Sequence, residues 1–213
     1  MYKGLFISGT DTNVGKTIIA SLLVKKLDAI YWKPIQCGVN ELGQKDSDVV
    51  KKLTKNKILK EFFFFKHPVS PNIAAFKENK KIFLKDFEKF SEFNFSKKII
   101  VEGAGGLNVP LNNKSLVVDL VRFLKLPLIL VSRTNLGTIN HTLLSLEILK
   151  KKKISLRGLI FYGKNQPETI KTILSHGKKI YGKKINFLGR VPYVKKIDKN
   201  AIVELGKKIS IEE

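Results

Sequence analysis

The sequence has little cysteine, little arginine and no long apolar run. Its one cysteine, Cys37, excludes an intramolecular disulfide and a metal site with four thiolate ligands, and it fits a reducing compartment. No apolar run reaches the roughly 18 residues that a membrane span needs, and Met1 precedes a short strand-like stretch rather than a signal peptide. These absences predict a cytoplasmic protein with no membrane partner.

Positive charge is the strongest compositional bias, because 40 lysines and arginines face 18 acidic residues and give a net charge of +22. Arginine, the better bidentate reader of phosphates and guanine edges, occurs only at 122, 133, 157 and 190, while lysine is spread over the whole chain. We therefore expect a solvated basic surface that weakly attracts small anions, and no nucleic-acid partner. The 213 residues are enough for a single domain over 1–213 with a buried core.

Short apolar runs alternate with helical patterns along the chain. Runs rich in Ile, Val and Leu without polar alternation are typical of strands buried on both faces. They lie at 2–8, 29–32, 97–102, 126–132, 156–161 and 186–192, and helical patterns lie at 15–27, 116–125, 138–153, 167–181 and 199–208. The run Phe62 to Phe65 is interpreted as core or interface. This order predicts an α/β protein with a mostly parallel sheet and helices on both of its faces.

The loop after the first run, SGTDTNVGKT at 8–17, resembles a nucleotide-binding P-loop. Gly15, Lys16 and Thr17 match the end of that pattern. There, backbone N–H groups surround the phosphates, the lysine reaches the β and γ oxygens, and the hydroxyl meets Mg²⁺. Gly9 leaves five intervening residues before Gly15 instead of the usual four. Because a strand precedes the loop and a helix follows it, the sequence predicts a P-loop NTPase-like fold rather than a turn that only caps a helix.

Polar residues follow other predicted strands, at the edge of the sheet where ligands bind in parallel α/β folds. Lys33 follows the second strand, and a further loop carries Asp46 and Asp48. Glu102 ends the third strand beside a glycine-rich stretch, where a P-loop protein often holds its metal ion. Either aspartate could instead cap the helix that follows, with Asp46 the better candidate.

In these blocks the sequence resembles the dethiobiotin synthetases, a family of ATP-dependent carboxylases of biotin synthesis. The matching blocks are GTDTNVGKT at 9–17, KPIQCG at 33–38, DSD at 46–48, SPNIAA at 70–75, VEGAGGLNVP at 101–110, LGTINH at 136–141 and GRVPY at 189–193. The resemblance implies that CO2 is inserted between the two amines of 7,8-diaminononanoate. The reaction would pass through a carbamate and a carbamic-phosphoric anhydride and close the ureido ring of dethiobiotin, with ATP and Mg²⁺ required.

The resemblance also implies a role for individual residues. Lys16 and Lys33 would be catalytic, and Thr17, Asp48 and Glu102 would hold Mg²⁺. The nucleotide would contact Asn13, Val14, Gly15, Lys16, Thr17, Ile18, Asp48, Glu102, Gly103, Ala104, Gly105, Tyr162, Pro192, Tyr193 and Val194. The diamine and its carbamate, formed from CO2 or bicarbonate, would contact Thr12, Lys33, Cys37, Gly105, Gly137, Thr138 and Asn140. Family members form homodimers in which the partner's turn at 137–140 receives the substrate carboxylate.

Two positions depart from the family pattern. Cys37 stands where the family usually has a hydroxyl, and a thiol is a weaker hydrogen-bond donor. Tyr162 and Gly163 stand where the family commonly has an asparagine that holds adenine, so we expect looser nucleotide selectivity.

Two other classes share pieces of these blocks. A partition or switch ATPase normally has an additional lysine early in the phosphate loop, whereas positions 10–14 read TDTNV. A cofactor-biosynthesis amidoligase would need ammonia from a glutaminase with a cysteine nucleophile, and Cys37 has no such setting. Phosphate release that depends on the diamine would distinguish the carboxylase from both.

Overall fold

One parallel sheet organises the fold in the computed structural model, which describes residues 4–92 and 96–211. This main sheet consists of six strands among the described residues: β1 (Gly4–Gly9), β2 (Ile30–Trp32), β5 (Ile99–Gly106), β6 (Leu128–Arg133), β7 (Leu156–Tyr162) and β8 (Phe187–Val191). They form the main sheet in the order β2-β5-β1-β6-β7-β8, and every pairing is parallel. Two short strands, β3 (Ile35–Cys37) and β4 (Phe63–Phe65), form a separate parallel pair.

Helices connect the strands. The α-helices are α1 (Lys16–Lys26), α2 (Asp46–Thr54), α3 (Pro71–Lys77), α4 (Val117–Leu124), α5 (Thr138–Lys151), α6 (Pro167–Tyr181) and α7 (Lys199–Gly206), and Leu84–Glu92 forms a 3₁₀ helix. Within the described ranges, every helix is too short or too polar to cross a bilayer.

The helices cover both faces of the main sheet, as the sequence predicts. Successive residues of β1 point to opposite faces, because side chains alternate along a strand, and Phe6 and Ile7 therefore belong to different core clusters. Apolar residues of α1, α2 and α7 pack on the Ile7 face, and those of α3 to α6 and the 3₁₀ helix pack on the Phe6 face. The parallel pairing of β1 with β5 brings their carboxyl ends together between the two layers.

The structure corrects two expectations. Residues 46–48 form the first turn of α2 rather than a loop, and β5 continues past Glu102 to Gly106 because Gly106 pairs with Gly9 across a register shift. The run Phe62 to Phe65 lies against the core as expected, since Phe65 is fully buried and Phe62 and Phe63 pack on the core, although Phe64 is exposed. Residues 2 and 3 of the first predicted strand lie outside the described residues.

Candidate active site

The P-loop joins β1 to α1 at the carboxyl end of the sheet. Gly15 precedes the helix with φ of 93°, a left-handed conformation that glycine adopts without steric cost. Lys16 begins α1, is 7% exposed, and donates from Nζ to the Asp11 carbonyl at 2.7 Å. Burial and, next in size, the nearby charge of Lys33 lower the pKa of Lys16 to about 8. Anionic phosphates would offset the free-energy cost of burying the Lys16 ammonium, because their negative charge compensates its positive charge.

Glu102 is the centre of the site and is 1% exposed. Its Oε1 accepts hydrogen bonds from Thr17 Oγ1 and from Lys33 Nζ, each at 3.0 Å. Its Oε2 accepts one from the Tyr31 hydroxyl at 2.9 Å. Burial raises the pKa of Tyr31 well above its usual value, so the phenol is a donor at neutral pH. The structure thus brings together Thr17, Lys33 and Glu102, which lie in three separate segments of the sequence.

Lys33 follows β2 and lies between two carboxylates. It is 6% exposed, and its Nζ contacts Asp46 as well as Glu102. Burial alone would lower the pKa of Lys33, but the charges of Glu102 and Asp46 outweigh it and raise that pKa above the usual range. Lys33 is therefore a fixed positive charge at neutral pH.

The N-terminus of α2 places its two aspartates differently. Asp46 contacts Lys33, whereas Asp48 is exposed and its Oδ2 accepts the Lys45 backbone N–H at 2.9 Å. The expectation that Asp46 was the better capping candidate is wrong, because Asp48 makes the capping contact. Side chains of Lys45 and Ser47 both bond to the buried carboxylate of Glu61, which fixes the start of the helix. The metal role of Asp48 stays a prediction.

Thr17 and Glu102 fit a magnesium ion. Mg²⁺ prefers oxygen ligands and near-octahedral geometry with bonds of about 2.0–2.1 Å, so two neighbouring ligands lie roughly 2.9 Å apart. The Thr17 and Glu102 oxygens are 3.0 Å apart. The part of the chain that the structure describes contains no group of three His, Cys, Asp or Glu side chains able to hold a metal. Mg²⁺ is usually bound by one or two carboxylates together with substrate phosphates and water.

Three residues predicted to bind the carbamate lie near the P-loop or the second sheet. Gly105 has φ of 63°, and a Cβ placed there would lie 3.8 Å from the Thr12 hydroxyl, so Gly105 and Thr12 are neighbours. Cys37 ends β3 and is partly buried, and burial raises the pKa of its thiol to about 11. Cys37 is therefore a protonated, weak donor rather than a nucleophile at neutral pH.

The turn between β6 and α5 exposes part of the predicted carboxylate site. Gly137 precedes α5 with φ of 88°, and Gly137 and Asn140 are exposed. Thr138 is buried, and its hydroxyl donates to the Arg133 carbonyl at 2.7 Å and lies 2.7 Å from the Ser132 hydroxyl. The Thr138 side chain thus bonds inside the fold rather than facing solvent.

Two tyrosines border the P-loop on the side of β7 and β8. A Cβ placed on Gly15 would lie 2.3 Å from the Tyr162 ring, so this ring packs directly on the loop. Tyr193 meets it edge to face, with ring centroids 4.7 Å apart. The other predicted nucleotide contacts lie in the P-loop (Asn13, Val14), the first turn of α1 (Ile18), the end of β5 (Gly103, Ala104) and after β8 (Pro192, Val194). A base at this edge would meet aromatic surface where the family commonly has an amide.

Sequence reasoning missed two contacts that the fold creates. The Tyr31 hydroxyl reaches Glu102, and Arg133 donates to the carbonyls of Thr12 at 2.8 Å and Asn13 at 3.2 Å. Arg133 therefore ties the phosphate loop to the turn that begins α5. The polar end of a tyrosine in an otherwise apolar strand was a usable signal for the first contact, because a buried hydroxyl needs a partner.

Several known proteins are similar to this chain over nearly its whole length. A family model described as an AAA domain matches residues 3–201. A Lawsonia intracellularis protein named ATP-dependent dethiobiotin synthetase is 41% identical over 92% of this chain and 91% of its own length. A protein of the same name from Christiangramia forsetii is 40% identical over 98% of this chain and 96% of its own.

A solved structure supports the fold alone. The ParA family ATPase of Chlorobium tepidum superposes with a TM-score of 0.55 at 14% identity, covering 97% of this chain and 98% of that chain. The expected P-loop NTPase-like fold is confirmed. Since the named relatives match almost end to end at around 40% identity, the chain belongs to the dethiobiotin synthetase family.

Proposed function

We propose that the protein is an ATP- and Mg²⁺-dependent dethiobiotin synthetase that closes a cyclic urea from 7,8-diaminononanoate and CO2. One observation carries the proposal: Glu102 joins the P-loop hydroxyl of Thr17 to the ammonium of Lys33 at the carboxyl end of the sheet. The names of relatives that match nearly the whole chain support the same activity.

Nucleotide binding would use the P-loop and the residues around it. The N–H groups at the start of α1 point to the phosphates, and the Lys16 ammonium exchanges the Asp11 carbonyl for phosphate oxygens. Thr17 and Glu102 would hold Mg²⁺, which would supply positive charge to neutralise the phosphates. The base would lie against the ring of Tyr162, which meets the Tyr193 ring edge to face.

Lys33 would serve the carbamate. CO2 adds to one amine, which loses a proton and becomes a carbamate anion. A carbamate oxygen then attacks the γ-phosphorus, the bond to ADP breaks, and a carbamic-phosphoric anhydride forms. Two anions must approach within bonding distance, so a fixed positive charge between them lowers the barrier. Lys33 supplies this charge because its neighbouring carboxylates keep it protonated.

Ring closure needs no further covalent group from the protein. The second amine attacks the carbonyl carbon of the anhydride, phosphate leaves, and the amine loses its proton. Thr12 and Cys37 hold the carbonyl group by hydrogen bonds, and the Gly105 N–H approaches it closely. Cys37 contributes least, because a thiol is a weak donor.

The decisive experiment detects the product directly. Purified protein is incubated with ATP, Mg²⁺, bicarbonate and 7,8-diaminononanoate, and the cyclic urea is sought by mass spectrometry, with each component omitted in turn. Phosphate release must depend on the diamine. Release that is stimulated by DNA or by glutamine instead, without the cyclic urea, would contradict the proposal and favour a switch ATPase or an amidoligase.

We also propose that the active form is a homodimer with the substrate site at its interface. The turn at 136–140 and α5 expose apolar surface beside the predicted carboxylate site, because Leu136 is fully exposed and Leu144 is 55% exposed. Light scattering is expected to give twice the mass of the chain, and Leu144→Glu is expected to give the single-chain mass. Val203→Glu, on the exposed face of α7, is the matched control. A single-chain mass for the unaltered protein contradicts the dimer.

A further inference from the structure

Among the donors to Glu102 in the described part of the chain, Tyr31 is the one that the proposed reaction does not use. Thr17 belongs to the P-loop and Lys33 faces the proposed carbamate, whereas Tyr31 lies in β2, fully buried, with its hydroxyl 2.9 Å from Glu102 Oε2. A buried tyrosine hydroxyl needs a hydrogen-bond partner, but that partner need not be a carboxylate at the reaction centre.

Sheet register explains how Tyr31 reaches Glu102. β2 and β5 run parallel, and Tyr31 pairs with Ile100. Glu102 lies two residues beyond Ile100 and on the same face of the sheet, because side chains alternate along a strand. Tyr31, Ile100 and the neighbouring Ile7 all pack in the core under α1. The phenol ring is thus immobilised by packing, and its hydroxyl is aimed at a fixed point.

The two oxygens of Glu102 have different kinds of partner. Oε1 meets the Thr17 hydroxyl and the Lys33 ammonium, which are both groups that the proposed reaction redirects towards nucleotide and carbamate. Oε2 meets only Tyr31 among its described donors, and that donor cannot move without disturbing the core. When ligands draw Thr17 and Lys33 away, the Tyr31 bond is the one that still fixes the carboxylate plane.

We propose that Tyr31 is a positioning residue that orients Glu102 so that Oε1 is presented to the Mg²⁺ ion of the bound nucleotide. The inference rests on the proposed use of Mg²⁺ and ATP. Hydrogen bonds from outside the ligand shell orient metal ligands in this way, and their loss typically lowers metal affinity or activity about 10–100-fold. A tyrosine that merely fills the core would affect folding stability alone.

The test is Tyr31→Phe, which removes one oxygen and keeps the ring. Calorimetry measures ADP binding at a series of Mg²⁺ concentrations and in EDTA. We expect the Mg²⁺ concentration for half-maximal tightening of ADP binding to rise at least about tenfold, with ADP affinity in EDTA unchanged. Tyr181→Phe is the matched control, because its buried hydroxyl has no hydrogen-bond partner in the described part of the chain.

The measurement separates positioning from misfolding and from failure of the proposed function. A smaller folded fraction lowers the number of binding sites per chain but leaves the affinity of the remaining sites intact, and calorimetry reports both. An unchanged Mg²⁺ requirement in Tyr31→Phe, with normal Mg²⁺-dependent binding by the unaltered protein, would overturn this inference alone. Absence of Mg²⁺-dependent ADP binding by the unaltered protein would overturn the proposed function and this inference together.

Discussion

Lys33→Gln tests the centre of the proposed mechanism. Glutamine keeps a polar side chain of similar length but removes the positive charge that lies between Glu102 and Asp46. In the proposed reaction that charge holds the carbamate and compensates the charge that develops during phosphoryl transfer. We expect turnover to fall at least about a hundredfold, which corresponds to roughly 2.7 kcal/mol of transition-state stabilisation.

Lys33→Gln should also lower the free energy of unfolding, by an amount that follows from the burial of the ion pair. Removing one partner of a buried ion pair typically costs about 3–5 kcal/mol, because the other charge is left buried and uncompensated. Glu102 is almost completely buried, but the Asp46 side chain is 30% exposed and therefore screened by water. We expect the low end, about 3 kcal/mol, which lowers Tm by roughly 6–12 °C in a chain of this size.

A double variant separates the two effects. Lys33→Met combined with Glu102→Gln removes the buried charges together, so most of the lost stability should return while turnover stays at least about a hundredfold below that of the unaltered enzyme. Lys207→Gln is the control, because it breaks an exposed pair with Glu204 and should change Tm by little. Cyclic-urea formation by mass spectrometry and thermal unfolding give the two readouts. Turnover of Lys33→Gln within about tenfold of the unaltered enzyme would refute the role of Lys33.

Three further predictions follow from single residues. Folding lowers the pKa of Lys16 from 10.5 to about 8, so the unfolded chain binds the Lys16 proton more tightly than the folded chain does. The buried ammonium therefore destabilises the folded chain, and the full cost is present below pH 8. Lys16→Met should therefore raise Tm at pH 7, with a gain that shrinks between pH 8 and 10.5; a lower Tm at pH 7 contradicts this. We expect the unaltered enzyme to use ATP, CTP and GTP at similar rates in initial-rate assays, and Tyr162→Asn to shift its preference towards ATP. Strict ATP preference of the unaltered enzyme would contradict the looser selectivity. Cys37→Ser should raise kcat/KM for the diamine up to about fivefold, because a hydroxyl is the better donor, and an unchanged value would place residue 37 away from the carbamate.

Patterns within one segment predicted the fold well. The buried strands and the helices after β1, β5, β6, β7 and β8 were recognisable, because apolar periodicity is a property of consecutive residues. The pair β3 and β4 was missed, since β3 has the polar Gln36 at its centre and the phenylalanine run that contains β4 was interpreted only as core or interface. The helical start at Asp46 was also missed, because a DSD sequence is equally typical of a loop, and its contacts with Glu61 come from a distant segment.

The sequence pointed to Thr17, Lys33 and Glu102, which the structure brings together, but it did not give the pairings of the charged residues. Spacing alone could not say which aspartate meets Lys33. Residues two apart on an α-helix point about 200° apart, so Asp46 and Asp48 cannot face the same lysine once the helix forms. Tyr31 and Glu102 lie on different strands, and only the register of β2 against β5 brings them together.

The net charge of +22 and the two buried lysines have different consequences for function. Surface lysines attract anions, but salt screens their field over about 8–10 Å, so they cannot distinguish a carbamate from other anions. Lys16 and Lys33 lie out of water, and the repulsion between them helps to lower the pKa of Lys16. The negative charge of a nucleotide phosphate beside Lys16 would offset both this repulsion and the free-energy cost of burying the ammonium. The ligand-free site holds two buried ammonium groups close together at a cost in free energy, and this cost favours the binding of a phosphate. We therefore expect these two groups, rather than the surface charge, to select the anionic reactants.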